Sequence, residues 1–272
     1  MTLLENYKLL VDAISKIDGV MSIGKNGGTT LPLNNETDID LFVFCDHTPD
    51  RYKRETTIEN SGVVFSDMKL NETHSKFWGV CDFITIGNVE ICFMYFTLSE
   101  IDNDIESVLN GSRLDRENEY YYPTGRCATF VTMHILYDKN GYISATKEKL
   151  SFYPLQLSTK LVNHHMDKIC DSEDFERAVS RGDVLFYHST LESALDHFLQ
   201  SIFAVNQCFF PSRKRTLQYI QGFQHKPQNC NERLLKVIES GSHPETLLQS
   251  YNEWVSLCAE LRKIVTDKLS AL

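Results

Sequence analysis

The feature that most limits the fold is a pair of short apolar runs around Gly87-Asn88, in the stretch CDFITIGNVEICFMYF. Both runs are rich in β-branched and aromatic residues, which favours strands over helices. Gly and Asn accept the positive φ angles of a two-residue turn, so the stretch predicts a β-hairpin. Two more runs, VMSIG and IDLFVF, extend the pattern and predict a small, mainly antiparallel sheet within residues 20–97.

Helical periodicity flanks these strands and then replaces them. Residues 3–17 have one apolar face, and Ser99 with Asp102 is a candidate capping box for a helix that ends at Gly111. Beyond a tyrosine-rich loop, almost every segment has a helical period, most clearly at 191–210 and 245–270. The sequence therefore predicts an α+β protein, in which a small mixed or antiparallel sheet with flanking helices (1–122) precedes an all-α helical bundle (123–272).

Composition and length fit a globular protein of two domains. The chain has 272 residues, of which 24% are charged and 42% hydrophobic. It contains no apolar stretch long enough for a membrane span, and its first residues form an amphipathic helix instead of a signal peptide. The eight cysteines lie at no metal-ligand or redox spacing. We therefore expect a cytoplasmic protein with reduced cysteines and no membrane partner.

Charge is distributed unevenly between the two predicted domains. Residues 1–122 carry 10 Lys and Arg against 21 Asp and Glu, whereas 123–272 carry 17 against 16. Such an acidic surface repels a long nucleic acid, because neutralisation of phosphates supplies most of that affinity. A cationic small acceptor, or a nucleotide accompanied by metal ions, fits this balance better.

Two carboxylates, Asp38 and Asp40, open the run IDLFVF. Side chains two residues apart on a strand point to the same side, and two such carboxylates resist joint ionisation unless a cation lies between them. Hard oxygen ligands select Mg²⁺, which is usually completed by substrate phosphates. The pattern thus indicates a site for a metal-bound nucleoside triphosphate. The alternative is a polar turn, in which Asp38 caps and Asp40 is solvated.

Two neighbouring features favour the site. The upstream stretch GKNGGTT has glycines whose backbone N–H groups could approach phosphates. Downstream, Glu90 could supply a third carboxylate if its strand neighbours IDLFVF. The candidate phosphate-binding residues in this stretch are Gly24, Lys25, Gly27, Gly28, Thr29 and Thr30.

Together these parts resemble the DNA polymerase β-like nucleotidyltransferases. In that family, two small residues precede an Asp–apolar–Asp motif by nine to thirteen residues, and a lone acidic residue follows in a later apolar strand. Here the pattern is Gly27-Gly28, nine residues, Asp38-Ile39-Asp40, and then Glu90. A second register, which begins at Gly24-Lys25 with twelve intervening residues, also satisfies the spacing.

The resemblance implies a mechanism. Asp38 and Asp40 would hold two Mg²⁺ ions that are bridged to the triphosphate, while Glu90 would ligate the catalytic ion and help to deprotonate an acceptor hydroxyl. A nucleoside monophosphate, expected to be AMP from ATP, would pass to that hydroxyl with release of pyrophosphate.

The second half resembles the helical domains of antibiotic-modifying enzymes of the aminoglycoside nucleotidyltransferase type, through the stretch RGDVLFYHSTLESALDHFLQSIFAVNQCFFPSRKRTL (181–217). This resemblance implies a small, aminoglycoside-like acceptor. Lys214, in the densest basic cluster, is a candidate phosphate contact, or else part of a solvated helix start. Asn206 is a candidate nucleotide contact, and Asp183 is expected to cap a helix.

Other functions stay open. The enzyme could modify protein or RNA, as nucleotidyltransferases of toxin–antitoxin systems do. Alternatively, Arg181 and His188 match the loose spacing of a class of helical ribonucleases, with His188 as general acid or base. The remaining histidines are expected to be structural. An apolar C-terminal helix is also compatible with a homodimer.

Overall fold

The computed structural model describes residues 1–26, 38–117, 121–170 and 172–270. The chain divides into two compact units, each made from two separate segments. We call residues 1–106 with 126–152 the sheet unit, and residues 107–125 with 153–272 the helical unit. Within the described ranges, every helix is too short or too polar to cross a lipid bilayer.

The sheet unit is built on one six-stranded mixed sheet with the order β3-β4-β5-β2-β1-β6. All neighbouring strands pair antiparallel except β2 and β5, which are parallel. The predicted α+β class, with helices that follow a small mixed sheet, is confirmed. The strands are β1 Val20–Lys25, β2 Ile39–Cys45, β3 Asp67–Ser75, β4 Gly79–Ile86, β5 Val89–Thr97 and β6 His134–Asp138.

The predicted hairpin is the junction of β4 and β5. Ile86 pairs with Val89, so Gly87 and Asn88 form a two-residue turn, and Gly87 has a φ of 62°. Glycine adopts such a positive φ without a Cβ penalty, which explains the residue at this position.

In the described part of the chain, five helices accompany the sheet: α1 Leu3–Ser15, α2 Arg51–Glu59, α3 Leu98–Leu109, α4 Gly125–Thr132 and α5 Tyr142–Leu150. The buried face of α1, with Leu10 and Ile14, belongs to one apolar cluster with Leu41 of β2. The predicted capping box of α3 is displaced by two residues. The backbone N–H of Glu100 donates to Thr97 Oγ1, and the Glu100 carboxylate accepts from the Thr97 backbone.

The predicted boundary between residues 122 and 123 does not coincide with the division into units. β6 lies beyond that boundary but pairs with β1, and α4 and α5 accompany it. Asp138, at the end of β6, helps to hold β6 against β1. It accepts hydrogen bonds from Ser22 Oγ (2.7 Å) of β1 and from the backbone N–H groups of Ile143 and Ser144. Burial would raise the pKa of Asp138, but these bonds outweigh burial and lower it.

A buried ion pair joins α2 to the sheet near its β3 edge. Arg54 of α2 and Asp82 of β4 are both almost fully buried, and Arg54 Nε lies 2.7 Å from Asp82 Oδ2. The backbone N–H of Asn71 donates to Asp82 Oδ1 (3.0 Å) at a bulge in β3, where Asn71 has a φ of 61°. The pair therefore holds both α2 and the irregular strand β3 against β4.

The helical unit contains α6 Leu155–His165, α7 Ser172–Arg181, α8 Val184–Val205, α9 Thr216–Gly222, α10 Cys230–Ser240 and α11 Leu247–Ser270, with 3₁₀ turns at Met166–Lys168 and Pro244–Thr246. The predicted apolar stripe of α8 is buried, and Phe198 packs against Trp254 of α11 with 5.2 Å between ring centroids. Asp183 caps α8 as predicted, since Asp183 Oδ1 accepts from the Phe186 backbone N–H (3.0 Å).

Candidate functional site

The predicted carboxylates meet at the start of two neighbouring strands. In the parallel pairing of β2 with β5, Ile39 lies opposite Ile91 and Asp40 lies opposite Cys92. Both isoleucines are fully buried in the apolar cluster around α1. Because side chains alternate along a strand, Asp40 and Glu90 lie on the other face. Asp38 immediately precedes β2, and continuing the register by one residue places it opposite Glu90.

This edge of the sheet carries like charges in an accessible position. Asp38 and Asp40 are exposed, and Glu90 is partly exposed. Among the described residues, no three Asp, Glu, His or Cys side chains are gathered closely enough to form a metal-binding cluster. The donor chemistry, three hard carboxylates on one open face, suits Mg²⁺, but their side chains must close inward to hold it.

Two cysteines lie beside these carboxylates. Cys92 neighbours Asp40 across the β2–β5 pairing, and Cys81 of β4 interacts with Cys92. Its hydrogen bond with Cys81, its burial and the negative charges of Asp40 and Glu90 all raise the pKa of the Cys92 thiol. Cys92 therefore stays a neutral thiol beside the carboxylates. Sequence spacing gave no sign of this contact, because it depends on the pairing of β4 with β5.

Gly24 and Lys25 are part of the sheet and not of a phosphate-binding loop. Both residues pair with β2 on one side and with β6 on the other. A Cβ at Gly24 would lie 2.1 Å from Met133 Sδ, so close packing explains this glycine. Lys25 is buried, which lowers the pKa of its ammonium, and it pairs with Leu41 on the face opposite Asp40. The register that begins at Gly24-Lys25 is therefore not supported.

The other glycine register, Gly27 and Gly28 with Thr29 and Thr30, lies outside the described residues. The described chain nevertheless fixes where that segment begins. The backbone N–H of Asn26 donates to the carbonyl oxygen of Asp40 (3.1 Å), so residue 26 lies alongside the start of β2. The last residue described before that segment, Asn26, therefore lies next to the carboxylates.

In the helical unit, the side chain of Asn206 has a structural role. Its Nδ2 donates to the carbonyl oxygens of Ile202 (2.7 Å) and His225 (2.8 Å), and its Oδ1 accepts from the His225 backbone N–H (3.0 Å). These bonds tie the end of α8 to a later loop, which argues against the predicted nucleotide contact. Lys214 is exposed, and its role as a phosphate contact stays a prediction.

Sequence reasoning missed a charged cluster in the same unit, which we call the Asp196 cluster. It consists of Asp196, Tyr122, Arg116 and Arg213. The Asp196 carboxylate accepts from Tyr122 Oη (2.7 Å) and Arg213 Nε (2.6 Å), and it lies 2.7 Å from Arg116 Nη1. The basic stretch PSRKRTL thus contributes Arg213 to an internal ion pair.

The ribonuclease alternative gains no support from geometry. Arg181 ends α7 and is exposed, whereas His188 lies one turn into α8 and packs edge-on against Tyr187. Within the described ranges, no hydrogen bond or ion pair joins the two side chains. His165, by contrast, is buried and forms a 2.8 Å Nδ1–Nδ1 hydrogen bond with His197, in keeping with a structural role.

Comparison with known proteins identifies no characterised family. A family model described as a domain of unknown function, DUF4037, matches residues 121–215, about a third of the chain. No curated protein matches the sequence. Among solved structures, a nucleotidyltransferase-like protein from Exiguobacterium sibiricum 255-15 is similar, with a TM-score of 0.48 and 9% identity over 100% of this chain and 81% of that chain.

Proposed function

We propose that this protein is a Mg²⁺-dependent nucleotidyltransferase that transfers a nucleoside monophosphate, AMP from ATP, to a hydroxyl of a small acceptor. The observation that carries the proposal is the parallel pairing of β2 with β5. It supports a shared site because it aligns Asp38, Asp40 and Glu90 on one open face of the sheet. Exposed carboxylates of like sign on adjacent strands repel one another, and a bound cation removes that repulsion.

In this proposal the three carboxylates have different tasks. Asp38 and Asp40 hold the ions that neutralise the triphosphate, and Mg²⁺ supplies charge stabilisation at the reacting phosphorus when bound. Glu90 faces the acceptor and takes the proton of its hydroxyl. A bond forms from that hydroxyl oxygen to the α-phosphorus, the bond to the bridging oxygen of the β-phosphate breaks, and pyrophosphate leaves.

The proposed phosphate contacts are the backbone N–H groups of residues 27–30. Gly24 and Lys25 are not included, because the sheet and its packing account for both. Asn26 supports this choice, since it begins the segment alongside Asp40. Glycine at two successive positions allows the backbone to approach phosphate oxygens closely.

Ligand-induced stabilisation tests the proposal. ATP with Mg²⁺ should raise the melting temperature of the protein, since a ligand that binds only the folded state stabilises it. The double variant Asp38→Asn with Asp40→Asn should remove this shift. Transfer of label from α-phosphate-labelled ATP to aminoglycosides, lincosamides and RNA would then identify the acceptor class.

Asp46→Asn is the matched control, because Asp46 is exposed just beyond the opposite end of β2. It should keep the full shift with ATP and Mg²⁺. A shift that survives in the double variant, or is lost equally in the control, would contradict the assignment of the site.

A further inference from the structure

Beyond the carboxylates, the same sheet face continues across β4 and β3. Thr85 pairs with Glu90 and with Asp67, and Phe83 pairs with Cys92 and with Lys69. Paired residues on antiparallel strands share a face, so these four side chains lie on the side of Asp40 and Glu90. We call Phe83, Thr85, Asp67 and Lys69 the β3–β4 platform.

One half of this sheet face is covered and the other half is open. Phe44 packs against Phe130 of α4, with 5.0 Å between ring centroids, and the Arg126 guanidinium lies 4.4 Å from the ring centroid of Phe96. At the other end, Phe83 and Thr85 are partly exposed although β4 is an inner strand. A partly exposed aromatic ring in the interior of a sheet leaves apolar surface in water, which a bound ligand can cover.

The strand order separates two sides of the carboxylate site. Residues 27–30 follow β1, which borders β2 on one side, whereas β5, β4 and β3 lie on the other side. An in-line displacement needs the attacking and leaving oxygens on opposite sides of the phosphorus. If the triphosphate lies on the β1 side, where Asn26 borders Asp40, the acceptor hydroxyl approaches from the side of Glu90 and the β3–β4 platform.

We propose that the β3–β4 platform binds the acceptor and that Phe83 packs against a sugar or cyclitol ring that carries the reacting hydroxyl. This inference rests on the proposed nucleotidyl transfer. The apolar C–H face of such a ring fits an aromatic side chain, and its polar substituents can reach Thr85 and Asp67. The side chains of Asp67 and Lys69 are about half exposed, and Lys69 Nζ lies 3.4 Å from Asp67 Oδ2. Both side chains can therefore exchange this contact for groups of a ligand.

Charge defines the acceptor further. Among the described residues of the open half of the face, Asp38, Asp40, Glu90 and Asp67 are acidic, and Lys69 is basic. An anionic acceptor would be repelled by this balance, whereas an uncharged or aminated ring would not. Phe83 is thus a specificity-determining residue that distinguishes ring-bearing acceptors from simple hydroxyl compounds.

Calorimetry with the full-length protein, Mg²⁺ and α,β-methylene-ATP, which cannot transfer AMP, tests the inference. The probes are kanamycin, an aminated ring compound, and maltotriose, an uncharged one. The ringless comparison is 1,3-diaminopropan-2-ol. At least one ring probe should bind saturably and more tightly than the ringless compound. Phe83→Ala should weaken that binding about tenfold, and Phe83→Trp should preserve it.

Trp78→Ala is the matched control, because Trp78 is a partly exposed aromatic residue just before β4, at the far end of this strand from Thr85. It should leave ring binding unchanged. If Phe83→Ala fails to fold, Phe83→Leu retains apolar bulk, lacks the aromatic ring and should still weaken binding.

Three results would overturn the inference: no binding of either ring probe, ring binding that Phe83→Ala and Phe83→Leu leave unchanged, or weaker binding of α,β-methylene-ATP itself in the Phe83 variants. The failure of the proposed function is a separate result. In that case ATP with Mg²⁺ does not stabilise even the unmodified protein, and the acceptor assignment fails with it.

Discussion

The carboxylates at the start of β2 and β5 and the Asp196 cluster are two charged regions of opposite character. At the sheet edge, Asp38, Asp40 and Glu90 have the same sign and face solvent. In the helical unit, Asp196 is nearly buried and has two arginines and a tyrosine around it. Like charges held in the open repel one another and suit ligand binding, whereas a buried carboxylate is tolerated by the fold only while its cations remain beside it.

The largest expected effect tests the functional side of this contrast. Asp40→Asn should reduce nucleotidyl transfer by a factor on the order of 10³, since charge stabilisation of the reacting phosphate is lost. The melting temperature in the absence of ligand should change little, because Asp40 is exposed. Turnover assays and thermal melts measure the two effects. A large drop in melting temperature with transfer retained would show that Asp40 serves the fold and not the reaction.

The structural side of the contrast is tested at Asp196. Asp196→Asn should lower the free energy of unfolding by about 3 kcal/mol, because the variant leaves Arg116 and Arg213 without the carboxylate between them. Denaturant titration measures the loss. Glu192→Gln is the control, since Glu192 is exposed and also pairs with Arg213. Its cost should stay below about 1 kcal/mol, and equal costs would show that burial is irrelevant here.

A buried neutral histidine also predicts a pH dependence in the helical unit. His165 Nε2 contacts the Leu114 carbonyl oxygen (3.1 Å), which can only accept, so neutral His165 carries its proton there. His165 Nδ1 then accepts from His197 Nδ1. Burial, followed by the positive charges of His197 and His164, lowers the pKa of His165 to about 3.

The unfolded chain takes up a proton at His165 near the ordinary pKa of about 6.5, while the folded protein does not until about pH 3. The stability contributed by neutral His165 is therefore lost as pH falls below 6.5. Between pH 7 and pH 5 the loss is about 2 kcal/mol. Denaturant titrations at both pH values should show a smaller loss in His165→Gln than in the unmodified protein, while His188→Gln should match the latter.

The smallest of these expected effects is at Gly24, which the structure assigns to the packed sheet and not to the open edge with the carboxylates. Gly24→Ala should destabilise the sheet unit by about 1–2 kcal/mol, because the new Cβ overlaps the Met133 side chain. Adding Met133→Ala should remove the overlap, although the cavity that it creates has its own cost. Both variants should keep the melting-temperature shift with ATP and Mg²⁺. A lost shift in the folded variants would return Gly24 to the phosphate site.

Elements with a local signal were predictable from the sequence. The turn at Gly87-Asn88 needs a positive φ, and the apolar stripe of α8 repeats over many turns, so neighbouring residues suffice to specify both. β3 and β6 lacked such signals. β3 is an edge strand whose residues are mostly exposed and polar, and β6 has five residues whose partner, β1, lies more than 100 residues earlier.

The candidate site was predictable to a similar extent. Asp38 and Asp40 could be placed on one side because alternation along a strand is local. That Glu90 joins them depends on the pairing of β2 with β5, which the sequence allowed but did not specify. The Asp196 cluster was out of reach, since Tyr122 and Arg213 lie 74 and 17 residues from Asp196 and belong to no motif.

The order in which the chain fills its two units has a consequence for folding and for protein expression. Because the sheet unit takes residues 126–152 from beyond residues 107–125, a ribosome must release part of the helical unit before β6 can join β1. Closing this long loop delays the last step of sheet formation. A fragment that ends before residue 126 would therefore expose one edge of β1, and strand edges of that kind promote aggregation.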